Sequence, residues 1–190
     1  MPHLDEKEMD RSVDARAVRF GAMRRSPAPN DLDGWVSQLG ISSCRQRAKA
    51  HLLMSGAPAL PALRRGLRHR KAIVRQQCVR IFDQLVDEAS LPDLVVALDD
   101  EDPGVCARAL HVLACDRCKQ NACRPGEDLW VPRALDFLRN HPNPDIRAAA
   151  IDALGKVVRD RPDVAAALIT ASETERNIGL RGMARRRALA

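Results

Sequence analysis

The stretch that decides the fold is ASLPDLVVALDDEDPGVCARALHVLA, residues 89–114. It contains two apolar segments with helical spacing, separated by a run of acidic residues. Pro92 stands near the start of the first segment and Pro103 at the start of the second. A first helical turn accepts proline because the missing N–H would have no partner inside the helix. The stretch therefore predicts two short helices joined by an acidic turn.

The same arrangement recurs along the chain. Each second helix begins with the pattern Arg-x-x-small, or Cys-x-x-small in the third copy, at Arg47, Arg75, Cys106, Arg147 and Arg181. These copies are 28, 31, 41 and 34 residues apart. Prolines near the start of the first helices give an independent series with steps of 31, 40 and 30 residues: Pro61, Pro92, Pro132 and Pro162. Both series predict stacked helix pairs of about thirty residues, the organisation of an α-solenoid.

Three copies carry a resemblance to a known family. Residues 57–85 (APALPALRRGLRHRKAIVRQQCVRIFDQL), 89–114 and 143–158 (NPDIRAAAIDALGKVV) resemble HEAT repeats of the PBS-lyase-like kind. They resemble the variety of these repeats that has Asp-Pro before the second helix and Val-Arg or Ile-Arg opening it. The resemblance implies an all-α superhelix of about five antiparallel helix pairs, a concave surface lined by the second helices, and no enzymatic activity by itself. We expect residues 31–190 to form this domain and residues 1–30 to be a mobile or weakly helical arm.

Composition agrees with a soluble helical protein. Aromatic residues make up 3% of the 190 residues and tyrosine is absent, which favours helices over strands. The N-terminus lacks the apolar run of a signal peptide, and no segment approaches the ~20 apolar residues of a membrane span. We therefore expect a cytoplasmic location. In a reducing compartment, clustered cysteines bind metal or do redox chemistry more often than they form disulfides.

Both repeat series lengthen by about ten residues at one place, which predicts an insertion at residues 115–128, CDRCKQNACRPGED. The candidate metal ligands are His111, Cys115, Cys118 and Cys123, a set that suits tetrahedral zinc. Cys106 is an alternative fourth ligand, although it lies about 140° around the helix from His111. An iron–sulfur cluster is the less favoured cofactor. A redox-sensing dithiol of Cys115 and Cys118 is a further alternative.

Helical spacing separates buried from solvated positions in the second helices. The apolar stripe contains Val74, Cys78 and Ile81, so Cys78 is predicted to be a core residue. A second, polar stripe is predicted to face solvent; it consists of Arg80, Gln84, His111, Cys115, Asp152 and Lys156. Cys44, just after Ser42 and Ser43, has no apolar stripe to join and is predicted to lie in a solvated loop.

Function follows from charge and from the motifs found. Four arginines of the second helices are candidates for binding a partner: Arg75, Arg80, Arg147 and Arg181. The leading hypothesis is a non-enzymatic scaffold that binds a protein or peptide, because no phosphate loop or catalytic triad spacing occurs. The net charge of +6 and the basic segment 64–75 make nucleic-acid binding the alternative. The acidic run at residues 99–102 and the scarcity of aromatic side chains speak against that alternative.

Overall fold

The computed structural model describes residues 25–115 and 125–189. Within these ranges ten α-helices and no strand are found. The helices are α1 Leu32–Gln38, α2 Ser42–Ser55, α3 Leu60–Gly66, α4 Ala72–Leu85, α5 Leu91–Val96, α6 Pro103–Ala114, α7 Val131–Asn140, α8 Pro144–Leu154, α9 Pro162–Thr174 and α10 Ile178–Ala188.

The helices form five consecutive pairs, from α1 with α2 to α9 with α10. The second members of the pairs pack side by side, α2 on α4, α4 on α6, α6 on α8 and α8 on α10. We call these five helices the second-helix layer. The prediction of a HEAT-like α-solenoid of about five helix pairs is confirmed.

Local sequence signals set the helix starts. Proline occupies the first turn of α3, α5, α7 and α9, as the proline series predicted. Three of the five second helices have side-chain caps, and two of these, α6 and α8, also have proline in the first turn. Asp102 accepts a hydrogen bond from the Val105 amide at α6, Asn143 accepts one from the Asp145 amide at α8, and Asn177 accepts two at α10. The acidic or amide residue just before the second helix is therefore part of the repeat because it satisfies amides that the helix leaves unpaired.

The core runs between the layer of first helices and the second-helix layer. Val74, Cys78 and Ile81 of α4 are completely buried, as the apolar stripe predicted. Burial raises the pKa of the Cys78 thiol to about 12, because a thiolate there would lose its hydration. Cys78 is therefore an inert packing residue.

An arginine near the start of four of the five second helices connects the helix to the loop before it, and in α6 Cys106 takes this place. Arg75 donates to the carbonyl oxygen of His69 at 2.9 Å, and Arg147 donates to that of His141 at the same distance. Arg181 donates to the carbonyl oxygen of Glu175 at 3.1 Å. In each case the acceptor lies six residues earlier. Three of the predicted partner-binding arginines thus have a structural contact in common.

The first repeat shows that the sequence register was misplaced by two residues. Arg45 donates to the carbonyl oxygen of Leu39, six residues earlier, at 2.9 Å. Arg45, and not Arg47, is therefore the structural equivalent of Arg75. Cys44 takes the position of Val74 and is buried, which corrects the prediction of a solvated loop cysteine. The error arose because Arg-x-x-Ala fits the sequence at both Arg45 and Arg47.

Two predicted segments fall partly outside the described residues. Residues 1–24 of the predicted arm and residues 116–124 of the insertion are outside them. Residues 25–30 contact α1: the Trp35 indole donates to the carbonyl oxygen of Ala28 at 3.0 Å, and the Gln38 amide to that of Arg25 at 3.2 Å. Of the helices described, none combines the length and the apolar character that crossing a membrane requires.

Candidate functional site

A groove of about 560 Å³ crosses the second-helix layer. We call it the second-helix groove. It contains five of the six members of the polar stripe predicted from sequence: Arg80, Gln84, His111, Asp152 and Lys156. The sixth, Cys115, was predicted to face solvent and is instead buried after the end of α6. Lys49 and Asp83 also line the groove, as do Arg108 and the small residues Gly104, Ala107, Ala149 and Ala153. Four helix pairs therefore contribute to one surface.

The groove is electropositive. Four cationic side chains line it, Lys49, Arg80, Arg108 and Lys156, against the two carboxylates Asp83 and Asp152. Asp152 is bound by Arg187 of α10, which neutralises it. Four cationic side chains in the groove therefore face one carboxylate, Asp83, that is not already paired with Arg187.

Arg108 is one of these cations, and its guanidinium lies near that of Arg80. Among the described residues its Nε atom is buried and finds no hydrogen-bond acceptor. Burial and the nearby positive charge of Arg80 both lower the pKa of Arg108. A buried donor without a partner costs about 1–3 kcal/mol. An anionic group entering the groove would remove this cost and offset the repulsion between the two arginines.

The structure revises the set of partner-binding arginines. Arg75, 7% exposed, donates to both carboxylate oxygens of Asp100 at 2.7 and 2.8 Å. Arg147 binds both carboxylate oxygens of Glu175 at 2.9 Å. Arg181 is engaged with the backbone of Glu175. Arg75 and Arg147 connect neighbouring repeats, and Arg181 contacts the loop within its own helix pair. Arg80 is therefore the one predicted arginine that lines the groove.

Part of the predicted metal set lies at the same groove. His111 lines it, and Cys115 is buried directly after the end of α6. The structure adds Asp83 of α4: one ligand atom from each of Asp83, His111 and Cys115 lies within 4.8 Å of the other two. The separation of His111 Nε2 and Asp83 Oδ1 is 3.8 Å. Cys118 and Cys123, and with them the predicted dithiol, lie outside the described residues.

Cys106 is not part of this group. Its thiol donates to the carbonyl oxygen of Leu98 at 2.9 Å, and the side chain is buried in the core. Burial raises the pKa of the Cys106 thiol to about 11, which opposes the thiolate form that a metal requires. The structure therefore revises the alternative fourth ligand: Cys106 packs in the core.

Four of the six Lys and Arg side chains in the basic segment 64–75 form ion pairs within the described chain. Arg64 and Arg68 both bind the buried carboxylate of Asp93, each at 2.5 Å. Arg65 binds Asp33 at 2.7 Å through a bidentate contact. These pairs connect neighbouring repeats. Arg64 and Arg68 share one carboxylate, and no ion pair is found for Arg70 or Lys71 among the described residues, so part of the segment's charge remains for the phosphates of a nucleic acid.

Comparison with known proteins gives a structural likeness. No protein-family model and no curated protein matches the sequence. A solved structure with a similar fold is the complex of CpcE and CpcF of phycocyanin lyase from Nostoc sp. PCC7120. The similarity has a TM-score of 0.66 and 18% sequence identity, and it covers 84% of this chain and 98% of that chain. At 18% sequence identity, this structural similarity shows that the two chains share a fold.

The comparison corrects one prediction from sequence. The chain was expected to have no enzymatic activity because it is a helical-repeat protein without a recognisable catalytic motif. The comparison corrects the ground for that expectation: a helical-repeat fold does not by itself argue against a role in an enzyme, since a chain with a similar fold belongs to a phycocyanin lyase complex. The fold is the HEAT-like α-solenoid that the repeats predicted.

Proposed function

We propose that this chain is a helical-repeat subunit of an enzyme assembly and that it binds an acidic segment of a protein partner in the second-helix groove. The observation that carries the proposal is the position of Arg108, whose partly buried guanidinium lies beside Arg80 and has an Nε donor without an acceptor in the described chain. A carboxylate of the partner would supply that acceptor. Charge-assisted hydrogen bonds of this kind are about twice as strong as neutral ones.

The shape of the groove suits an extended segment. Gly104, Ala107, Ala149 and Ala153 line it with short side chains, so a partner backbone can approach the helices closely. Lys49 of α2 and Lys156, just beyond α8, belong to different helix pairs. The cations are therefore distributed over four repeats, which favours several carboxylates in sequence over one isolated anion.

The role in an enzyme assembly rests on the structural neighbour, which is a complex of two chains of a lyase. We propose that this chain likewise acts with a protein partner in a lyase-type assembly. A cytoplasmic location belongs to the same proposal, because a reducing compartment keeps cysteine ligands available for metal.

The groove is tested with labelled peptides of equal length, one rich in Glu and Asp and one rich in Lys. Fluorescence anisotropy should show that the full chain binds the acidic peptide and not the basic one. The double variant Arg80→Glu/Arg108→Glu should weaken acidic-peptide binding at least about tenfold. The control Arg185→Glu/Arg186→Glu makes the same charge change at exposed positions of α10 outside the groove and should leave binding nearly unchanged.

Equal losses in both double variants would show that net charge, and not the groove, attracts the peptide. Duplex DNA in the same assay tests the nucleic-acid alternative, which requires tighter binding than the acidic peptide and a steep salt dependence. Phycocyanin itself tests one candidate partner. Failure to bind it would remove that protein as the partner and leave the acidic-segment proposal standing.

A zinc site at His111, Cys115, Cys118 and Cys123 is the second part of the proposal. It is supported by the proximity of His111 and Cys115 in the described part of the chain. Elemental analysis of protein purified without a metal-affinity column should find one equivalent of zinc. The three thiols should become reactive together when a chelator removes it. Absence of metal together with immediately reactive thiols would contradict the site.

A further inference from the structure

We infer that Asp83 is a metal ligand and that Asp83, His111 and Cys115 form a divalent-cation site joining α4 to α6 in the second-helix groove. The inference rests on the proposed metal binding by His111 and Cys115. It adds a ligand from a different repeat and places the cation inside the groove. The cation class is one that accepts oxygen, nitrogen and sulfur together, such as Zn²⁺ or Co²⁺.

The geometry is close to what such a cation needs. In a tetrahedral zinc site, metal–ligand distances of about 2.0–2.3 Å place ligand atoms roughly 3.3–3.7 Å apart. Asp83 Oδ1 and His111 Nε2 are 3.8 Å apart, and the largest separation within the group is no more than 4.8 Å. The three side chains therefore need to move together by about 1 Å, which rotamer adjustments can supply.

Asp83 provides the independent observation. Its Oδ1 atom is buried and accepts no hydrogen bond from any residue of the described ranges, while the side chain as a whole is 22% exposed. A buried carboxylate oxygen without a donor is costly, because the charge loses water and gains no compensating contact. At 3.8 Å the nearby His111 Nε2 is too far away to be that donor. A bound cation would satisfy the oxygen directly.

The position of the site also connects it to the partner groove. The His111 side chain is 49% exposed, and both His111 and Asp83 line the groove. Asp83, His111 and Cys115 leave a tetrahedral cation one further position, so a site that includes Asp83 has room for no more than one of the two predicted cysteine ligands outside the described residues. The site would therefore connect two repeats and add positive charge to a surface that already favours an acidic segment.

The experiment is a Co²⁺ titration of the full chain after chelation, with thiols kept reduced and no peptide present. One equivalent of Co²⁺ should produce the visible bands of a four-coordinate site and a near-ultraviolet thiolate-to-cobalt band. Asp83→Asn should weaken Co²⁺ binding at least about tenfold. The matched control Asp152→Asn removes the other groove carboxylate, which is bound to Arg187 and is not in the group, and should retain wild-type affinity.

His111→Gln provides a second variant at a half-exposed position, and circular dichroism checks that each variant is helical. The inference is overturned if the wild-type chain binds no Co²⁺ or if Asp83→Asn binds it as tightly as the wild type. In the latter case the proposed zinc site could survive with cysteine ligands, and Asp83 would not belong to it. Peptide binding is measured separately, so failure of the groove proposal would not affect this result.

Discussion

Replacing Arg75 by methionine tests whether the arginine at the start of the second helix connects the repeats. Arg75 is 7% exposed and Asp100 is 10% exposed, so the ion pair is shielded from water. Arg75 also donates to the carbonyl oxygen of His69. Methionine fills a similar volume without the charge. It leaves the carboxylate of Asp100 and the carbonyl oxygen of His69 without the hydrogen bonds that Arg75 donates.

Removing one partner of a buried ion pair costs about 3–5 kcal/mol, mainly because the remaining charge is uncompensated. Asp100 sits in the loop before α6 and also accepts a hydrogen bond from the Asp102 amide at 2.8 Å, which limits the loss. We therefore expect Arg75→Met to lower the free energy of unfolding by about 3 kcal/mol, at the lower end of that range. Arg80→Met, an exposed groove position on the same helix, should change it by less than about 0.5 kcal/mol.

Urea denaturation followed by circular dichroism measures both variants. The double variant Arg75→Met/Asp100→Asn should recover part of the loss, because the uncompensated charge is then gone. A loss below about 1 kcal/mol for Arg75→Met, similar to that of Arg80→Met, would refute the structural role assigned to the arginine.

Three further predictions concern packing and pH. Gly66→Ala should destabilise the chain by about 1–3 kcal/mol in the same urea assay, because its Cβ would lie 2.5 Å from Cys78 Sγ and 2.8 Å from a Val36 methyl carbon; a neutral effect would show that the core yields there. Arg147 lowers the pKa of Glu175, so the free energy of unfolding should fall as pH drops below 4.5, the ordinary pKa of a glutamate. Glu175→Gln should flatten that fall between pH 5 and 3. An unchanged slope would show that the Arg147–Glu175 ion pair does not stabilise the fold. Burial raises the pKa of Cys78 to about 12, so the free energy of unfolding should fall as pH rises above 9.0, the ordinary pKa of a thiol. The fall should be smaller in Cys78→Ala. Equal slopes would contradict the assignment of Cys78 as a buried, protonated thiol.

The repeat architecture could be predicted from sequence because each repeat carries the same local signals. Proline in the first turn and an apolar stripe on the second helix recur often enough to fix the helix pairs. The register of the first repeat could not be fixed this way, because Arg45 and Arg47 both satisfy the same pattern. The buried position of Cys44 decides between them, and burial depends on contacts with other helices.

The candidate site could be predicted in part, for a related reason. The polar stripe was recognisable because its members follow helical spacing within each repeat. Asp83 was missed because it belongs to a different repeat from His111. The two residues are 28 positions apart in sequence, and only the packing of α4 on α6 brings their side chains together. A comparison of polar positions in adjacent second helices would have found it, since such helices contact each other along one face.

The series of ion pairs between second helices and the following repeats is interrupted beside the predicted insertion. Arg75 connects the second pair of helices to the third, and Arg147 connects the fourth to the fifth, each through an acidic residue in the following repeat. At the junction between, Cys106 replaces the arginine, and the corresponding loop at residues 141–143 contains no acidic residue. Arg133 of α7 instead binds Asp99 across that junction, on the side of the first helices. The second-helix face beside the insertion is thus held mainly by packing of α6 on α8, and this is the face where the groove and the candidate metal ligands lie.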